Sequence, residues 1–139
     1  QRRSFRSAFG CCCSSVVAGD GGQNVAGQRA DGGIVRYRAK IDATNADARG
    51  LLAMHERGER LRGVIKTNGP PVQTVPATFA EVPATTPASA ALAKDLKRLG
   101  FRFIGPTTAY AAMQAIGVVD DHLATCPVRR ARSTVTYAG

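Results

Sequence analysis

Apolar residues recur at helical spacing in the second half of this 139-residue chain, where Leu92, Leu96 and Leu99 fall three or four positions apart. This period places the three side chains on one side of a helix. Ser89 precedes the repeat and is suited to cap the first turn, because a serine oxygen accepts a hydrogen bond from a free N–H group there. Gly100 follows the repeat, at the position where a left-handed residue ends a helix. The pattern predicts one helix between these two residues.

A second helix is predicted directly after this one. Pro106 stands at a favoured first-turn position, Tyr110 and Met113 continue the helical spacing, and Gly117 ends the helix. The segment between the two helices is GFRFIG, from Gly100 to Gly105, and a glycine bounds it on each side. The sequence therefore predicts a helix–hairpin–helix, two short helices joined by a tight turn.

The middle of the chain predicts another helix. Ile41, Ala48, Leu51 and Leu52 lie on one side of it, Gly58 ends it, and His55 is expected at its surface. Residues 68–86 are rich in Pro and Thr, which favours an extended connector. Residues 10–24, GCCCSSVVAGDGGQN, show neither helical periodicity nor strand alternation, so a loop or a disordered segment is expected there.

The glycine-bounded turn suits one kind of ligand. Glycine lets the backbone come close to a ligand, and the free N–H groups at the start of the second helix carry a partial positive charge. Basic side chains surround the turn, so a nucleic-acid backbone fits it better than a small isolated anion. The alternative is an ordinary helical hairpin with solvated lysines. The candidate DNA-binding residues are Lys94, Gly100, Arg102, Gly105 and Thr107.

The charge balance also favours an acidic partner. The formal net charge is +9 and the isoelectric point is near 10.1, with basic residues spread along the whole chain. Such a spread predicts phosphate contacts without sequence preference and binding that weakens as salt rises. The alternative is a charge that serves only solubility. No apolar run is long enough for a membrane span and no secretory leader opens the chain, so we expect no membrane contact and a cytoplasmic location.

One His and one Cys stand at metal-ligand spacing. Cys126 follows His122 by four residues, one turn of a helix, which would place both side chains on one face and let them share a metal. The alternative is a buried pair without metal. Asp120 and Asp121 can cap the helix expected to carry the pair. The consecutive Cys11, Cys12 and Cys13 do not look like a disulfide framework, and a role for them in completing a tetrahedral site is the less favoured interpretation.

Three segments of the chain resemble one enzyme family. They are GIVRYRAKI at Gly33–Ile41, FAEVPATTPASAALAKDLKRLGFRFIGPTTAYAAMQAIG at Phe79–Gly117, and VVDDHLATC at Val118–Cys126. Together they make the chain similar to the DNA-3-methyladenine glycosylase I family, bacterial base-excision repair enzymes of the helix–hairpin–helix superfamily. RRSFRSAF at Arg2–Phe9 resembles the family more weakly. The resemblance implies an all-α, glycosylase-like helical domain, partial because the family's N-terminal segment lies upstream.

The resemblance also implies a cofactor. In the family, a structural zinc takes a Cys and a His from near the N-terminus and two further ligands from a C-terminal His-x-x-x-Cys, which matches His122 and Cys126 here. Half of the zinc site is thus expected in this chain. In the wider superfamily the position of Asp120 holds a catalytic Asp, but in the methyladenine family it is often Asn, so we expect capping rather than catalysis from Asp120.

The implied activity is hydrolysis of the N-glycosidic bond of 3-methyladenine in alkylated DNA, by a monomer bound to double-stranded DNA. The family's base pocket comes mostly from the upstream segment, so the catalytic residue is unassigned and we expect little or no base release by this chain alone. Phe101, Phe103 and Tyr110 are expected to pack the hairpin and core. The alternatives are a non-catalytic helix–hairpin–helix DNA-binding module and an inactive partial glycosylase. We expect a single domain over 1–139, with 1–31 poorly defined, a family-like region at 32–126 and a basic tail at 127–139.

Overall fold

The computed structural model describes residues 13–19, 25–34 and 37–129. Within these ranges the chain is helical and contains no strand, so the predicted all-α class is confirmed. A single 3₁₀ turn covers Phe79–Glu81, and a further helical turn covers residues 127–129. The helices are α1 (Ser14–Gly19), α2 (Val25–Ala30), α3 (Arg38–Glu56), α4 (Leu61–Thr67), α5 (Pro87–Arg98) and α6 (Pro106–Ala115).

The contacts divide the chain into two compact units. The first comprises Gln1–Gly63 and Ala93–Ile104, and the second comprises Val64–Leu92 and Gly105–Gly139. None of the helices in the described ranges has the length and apolar run that crossing a bilayer requires. The expectation of a single domain over the whole chain stays a prediction.

In the first unit α1 and α2 pack against α3. Val17 of α1 is buried with Ile41 and Ala48 of α3, and Val25 and Ile34 pack against this cluster. The loop expected over residues 10–24 is therefore wrong for Ser14–Gly19, which is helical. The reason is tertiary: six residues without helical periodicity become a helix because Val17 is buried against α3, and packing overrides a weak local preference. Cys11 and Cys12 lie outside the described residues.

Helices α3, α5 and α6 end in the same way. In α5 the N–H of Gly100 bonds to Lys97 O at 3.1 Å and the N–H of Phe101 bonds to Leu96 O at 3.0 Å, which is the Schellman pattern. Gly100 has φ +93°, a value that residues with a Cβ atom rarely adopt. Gly58 and Gly117 end α3 and α6 with equivalent bonds and positive φ. All three predicted C-terminal glycines are thus confirmed.

The N-terminus of α5 differs from the prediction. Thr86, not Ser89, is the cap: Thr86 Oγ1 accepts a bond from Ser89 N at 3.1 Å, and Ser89 Oγ accepts a bond from Thr86 N at 2.9 Å. Pro87 follows as the first helical residue, where its missing N–H costs nothing. Ser89 is the third residue of the helix and is fully buried. The prediction of Ser89 as the cap is wrong because Thr86, followed by Pro87, offers a better cap. Ser89 instead accepts a hydrogen bond from the N–H of Thr86, as the third residue of a capping box does.

In the second unit, the connector predicted over residues 68–86 contains neither α-helix nor strand, but the 3₁₀ turn at Phe79–Glu81 interrupts it. The connector lies alongside the segment after α6. Gln73 donates from Nε2 to Val118 O at 2.7 Å, and its Oε1 accepts from Asp120 N at 2.9 Å. One bond between backbones, from Ala124 N to Pro76 O at 3.0 Å, adds to this contact. The connector therefore fixes the residues that lead to His122.

Candidate functional site

The α5–α6 turn covers residues 99–105, and its residues 99–104 belong to the first unit, where they contact α3. The side chain of Asp47 accepts a hydrogen bond from Arg102 N at 2.6 Å. Burial raises the pKa of Asp47, and this bond partly opposes the rise by favouring the carboxylate. Gly50 lies opposite the turn, where an added Cβ would stand 3.4 Å from Leu99 O and 3.7 Å from the Phe101 ring. The turn therefore follows α3 closely.

The predicted phosphate-binding residues are distributed over both units. Lys94, Gly100 and Arg102 are exposed and belong to the first unit, whereas Gly105 and Thr107 belong to the second. Gly105 is the N-cap of α6, and within the described residues no side chain caps its first turn. Pro106 occupies the predicted first-turn position. The turn and the C-terminal ends of both helices lie where the sequence predicts them, and their packing as a helix–hairpin–helix unit stays a prediction.

The three aromatic residues expected in the core behave differently. Phe101 and Tyr110 are buried, as predicted. Phe103 is not: its ring is 55% exposed, and its backbone has a left-handed φ of 58°. The expectation of core packing for Phe103 is therefore wrong. The physical reason is that the contact with α3 is made at Arg102, and the next side chain is exposed and meets the ring of Tyr37 edge to face.

A hydrogen-bonded carboxylate stands beside α6 in the second unit. Asp121 Oδ2 accepts bonds from Tyr110 Oη and from Gln114 Nε2, each at 2.6 Å. Burial raises the pKa of Tyr110 well above its ordinary range, and the bond to Asp121 adds to the rise because it favours the protonated phenol. Tyr110 therefore stays protonated as a donor, and two side chains of α6 bind the same oxygen of Asp121.

Two cavities meet at this carboxylate. One has a volume of about 160 Å³ and lies between the connector and Tyr110, with Val119 and Asp121 in its wall. The other has a volume of about 220 Å³ and is lined by Gln114, Val119, Asp120, Asp121 and His122. The smaller one is close to the size of a single aromatic ring, since a cavity of about 150 Å³ holds benzene. Asp121 thus lines both cavities.

His122 and Cys126 meet, although not on a helix. Residues 121–126 are non-helical, and the next helical turn begins only at residue 127, so the expected placement of both side chains on one helix face is wrong. Pro127 explains the difference, because a proline at a first helical position starts a helix rather than continuing one. Cys126 Sγ nevertheless lies 3.6 Å from His122 Nδ1. Two ligands of one tetrahedral zinc stand about 3.6 Å apart for ordinary Zn–S and Zn–N lengths, so the pair fits half of a zinc site.

Asp120 has a structural role different from the predicted helix cap. Its Oδ1 accepts a bond from His122 N at 3.1 Å, which closes a turn rather than starting a helix. Arg129 donates to the carbonyls of Asp120 at 2.9 Å and His122 at 3.0 Å. Asp121 does not cap either, since it bonds to α6. Among the described residues, no group of three or more His, Cys, Asp or Glu side chains is placed to hold a metal.

The sequence analysis did not assign two residues to this candidate site. Gln73 lies in a connector with no periodicity to single it out, and it is more than 40 residues from its partners. Asp121 was assigned to capping because Asp-Asp before a presumed helix fits that role. The spacing of Tyr110 and Gln114 on one face of α6 was the available signal, since two donors four residues apart can share an acceptor.

The geometry can be compared with known proteins. Residues 1–130 match the sequence model of the methyladenine glycosylase family. The chain belongs to this family. The resemblance given by the hairpin region and the VVDDHLATC segment is thereby confirmed for nearly the whole chain.

Individual members of the methyladenine glycosylase family agree with this assignment. The chain is 39% identical over 132 residues to DNA-3-methyladenine glycosylase of Haemophilus influenzae, covering 93% of this chain and 71% of that protein. It is similar to a crystal structure of 3-methyladenine DNA glycosylase I, with a TM-score of 0.84 and 38% identity over 91% of this chain and 70% of that one. Another such structure, of a variant in complex with 3-methyladenine, gives a TM-score of 0.79 and 28% identity, with 90% and 68% coverage.

Proposed function

We propose that this chain is a base-excision glycosylase that hydrolyses the N-glycosidic bond of 3-methyladenine in alkylated DNA. The observation that carries the proposal is the family match over residues 1–130. The net charge of +9 supports a polyanionic substrate.

The reaction makes modest demands on the protein. The methylated base is a cation in DNA, so the electron pair of the broken bond to the sugar carbon neutralises the departing base. Water adds to that carbon and loses a proton. The protein therefore has to extract the nucleotide from the stack and favour charge on the sugar, rather than protonate a poor leaving group. Asp121 lines both cavities, and its carboxylate is a group that can face such a cation.

Contact with the DNA backbone is proposed for the candidate residues of the turn. In the second unit, Gly105 and Thr107 offer N–H groups at the uncapped start of α6 to a phosphate. In the first unit, Lys94 and Arg102 offer two exposed cations, and the exposed Gly100 has no side chain that would obstruct a phosphate. These contacts fix the enzyme on DNA without reading its sequence.

Gly105→Val tests this contact without disturbing the fold. The backbone of Gly105 has φ −104° and ψ 174°, which any residue adopts, and an added Cβ meets nothing within 4 Å. A branched side chain there should impede the approach of a phosphate, so gel-shift titrations at low salt should show several-fold weaker binding of duplex DNA. The control is Lys94→Ala, which should reduce only the salt dependence. Equal affinities for Gly105→Val and wild type would show that Gly105 does not contact DNA.

Structural zinc is proposed at His122 and Cys126. The observed spacing and the thiol and imidazole donors fit this metal, which would tie down the segment from Asp120 to Arg129. The described residues provide two donors where a structural site needs four, so the isolated protein should hold zinc weakly. Metal analysis of purified protein decides this. A stoichiometric, chelator-resistant zinc would mean that Cys11–Cys13 or a partner chain completes the site.

The decisive experiment measures free 3-methyladenine released from alkylated duplex DNA. Release above the spontaneous rate would support the glycosylase, and Asp121→Asn should then lower the rate more than it lowers DNA affinity. Binding of DNA without release would favour the non-catalytic module instead. If the chain neither binds DNA nor releases base, it is an inactive partial enzyme. The substrate form is tested in the same assay with single-stranded DNA, for which we expect a lower rate than for the duplex.

The proposal extends to assembly and location. We propose a monomer that acts in the cytoplasm. Sedimentation at several protein concentrations should give one species of the mass of one chain, 14.6 kDa. A concentration-dependent larger species would contradict the monomer.

A further inference from the structure

Two aromatic rings face solvent together in the first unit. The rings of Tyr37 and Phe103 meet edge to face, with centroids 6.0 Å apart and an angle of 79° between their planes. Tyr37 is 54% exposed and Phe103 is 55% exposed. Tyr37 is the N-cap residue of α3, and Phe103 lies in the α5–α6 turn. This aromatic pair leaves much of two large apolar surfaces in water, which folding alone does not favour.

The backbone of Phe103 makes the exposure more informative. Its φ of 58° is left-handed, a conformation that is unfavourable for a bulky side chain, and Phe103 is the single non-glycine residue with positive φ among the described residues. A glycine or an asparagine would adopt this conformation more easily. Strained residues of this kind persist where the surroundings fix them, and they cluster at ligand contacts.

The surroundings of the pair do fix it. One residue before Phe103, Arg102 N donates to Asp47 of α3, and two residues before, the buried Phe101 ring lies close to Gly50 of the same helix. The turn thus follows α3 from Gly50 back towards Tyr37. Phe103 is therefore presented by a rigid element rather than by a loose loop.

The charges around the pair select the partner. Arg102 precedes Phe103, and Arg38 and Lys40 follow Tyr37; all three are exposed. Arg38 lies 3.6 Å from Asp42, and the charge of Arg102 acts on the carboxylate of Asp47. Neither Arg102 nor Lys40 forms an ion pair within 4 Å in the described part of the chain. Exposed rings interleaved with cations are the combination that binds nucleobases by stacking and phosphates by charge.

We propose that Tyr37 and Phe103 form a stacking platform for an unstacked nucleobase of bound DNA, with Lys40 and Arg102 contacting the adjoining phosphates. The proposal rests on the proposed function in so far as DNA is the partner. It adds a contact with bases to an interface that otherwise reads only the backbone. An enzyme that extracts one base from the stack disturbs its neighbours, and the platform gives an exposed neighbour an aromatic surface.

The test uses the full chain and single-stranded oligonucleotides that carry 2-aminopurine, whose fluorescence falls when the base stacks. Wild type should quench the fluorescence, and Phe103→Leu and Tyr37→Leu should each weaken binding by about 5- to 50-fold and abolish the quenching. The salt dependence of binding should not change, since neither substitution alters a charge. The matched control is Phe79→Leu, because Phe79 is 81% exposed in the other unit and should leave binding and quenching unchanged.

A second variant separates loss of the platform from loss of the fold. Phe103→Asn suits the left-handed backbone, so it should keep the thermal stability of wild type while binding as weakly as Phe103→Leu. Unchanged affinity and quenching in both Phe103 variants would overturn the proposal. A dimer of the wild-type chain that Phe103→Leu dissociates would also overturn it, because the pair would then be a contact between copies.

The platform and the glycosylase activity fail in different ways. If the chain quenches the oligonucleotide through Tyr37 and Phe103 but releases no 3-methyladenine, the platform stands and the enzymatic proposal fails. If it releases base and the Phe103 variants bind DNA like wild type, the activity stands and the platform is wrong.

Discussion

At the scale of single residues, alanine substitutions at two glycines should change the stability in opposite directions, because one glycine has a left-handed backbone and the other lies within a helix. Gly100 has φ +93°, so Gly100→Ala should destabilise the protein by about 1–2 kcal/mol, the cost of a Cβ in the left-handed region. Gly63 is the third residue of α4, and an added Cβ there meets nothing within 4 Å. Gly63→Ala should therefore stabilise by about 0.5–1 kcal/mol. Urea unfolding of both variants measures the two signs, and equal signs would contradict the assigned conformations.

Tyr110 predicts a dependence of stability on pH. Burial and the bond to Asp121 raise its pKa in the folded state above the unfolded value of about 10. A raised folded pKa means that the contribution of the protonated phenol is fully present below pH 10 and is lost as the pH rises through the folded pKa. Tyr110→Phe should cost about 1.5–3 kcal/mol at pH 8. The difference from wild type should shrink by about 1.4 kcal/mol between pH 8 and pH 11, with most of the change above pH 10.

The measurement is the free energy of unfolding of both proteins from pH 8 to pH 11. The comparison removes the titration of other groups, because both proteins share them. A difference that stays constant over this range would show that Tyr110 ionises equally in both states and that its bond to Asp121 adds nothing.

At the scale of elements, the start of α5 depends on a reciprocal pair. Thr86 and Ser89 each accept a bond from the backbone N–H of the other. Thr86→Ala and Ser89→Ala should each cost about 1 kcal/mol. The double variant should cost less than the sum, because the first substitution already breaks the cooperative arrangement. Thermal unfolding of the four proteins gives the coupling energy, and strict additivity would show two independent bonds. Thr86→Ser is the control that keeps the oxygen.

Helix ends were predictable from sequence to the extent that one residue type decides them. Gly58, Gly100 and Gly117 ended three helices as expected, because a left-handed residue with no Cβ is nearly sufficient for that role. Ser89 was misassigned because several residues compete to cap a helix, and the choice between Thr86 and Ser89 depends on where the connector arrives.

The remaining differences depend on contacts that are distant in sequence. α1 is a helix because Val17 meets α3, and no pattern within Ser14–Gly19 shows that. The sequence analysis expected the side chains of His122 and Cys126 to lie close together, and they do. It expected them on a helix, whereas the helical turn begins only at Pro127. The carboxylate of Asp121 was missed because its donors lie on α6.

At the scale of the whole molecule, the charge predicts how DNA binding responds to salt. With +9 spread along the chain, the logarithm of the affinity should fall linearly with the logarithm of the salt concentration, at a slope of about −0.9 per phosphate contacted. Arg102→Ala should reduce that slope by about one contact. Titrations from 50 to 200 mM salt measure it, and a flat response would contradict an interface based on phosphates.

The two hydrogen bonds of the Gln73 side chain, to Val118 O and from Asp120 N, have a consequence for the order of folding. These bonds join residues 45 and 47 positions apart, so forming them closes a loop that contains α5 and α6. Closing so long a loop is entropically expensive until the enclosed helices are compact. Gln73 should therefore form its bonds after the folding transition state. Gln73→Ala should accelerate unfolding by about 5- to 30-fold and leave the refolding rate nearly unchanged, as stopped-flow kinetics would show.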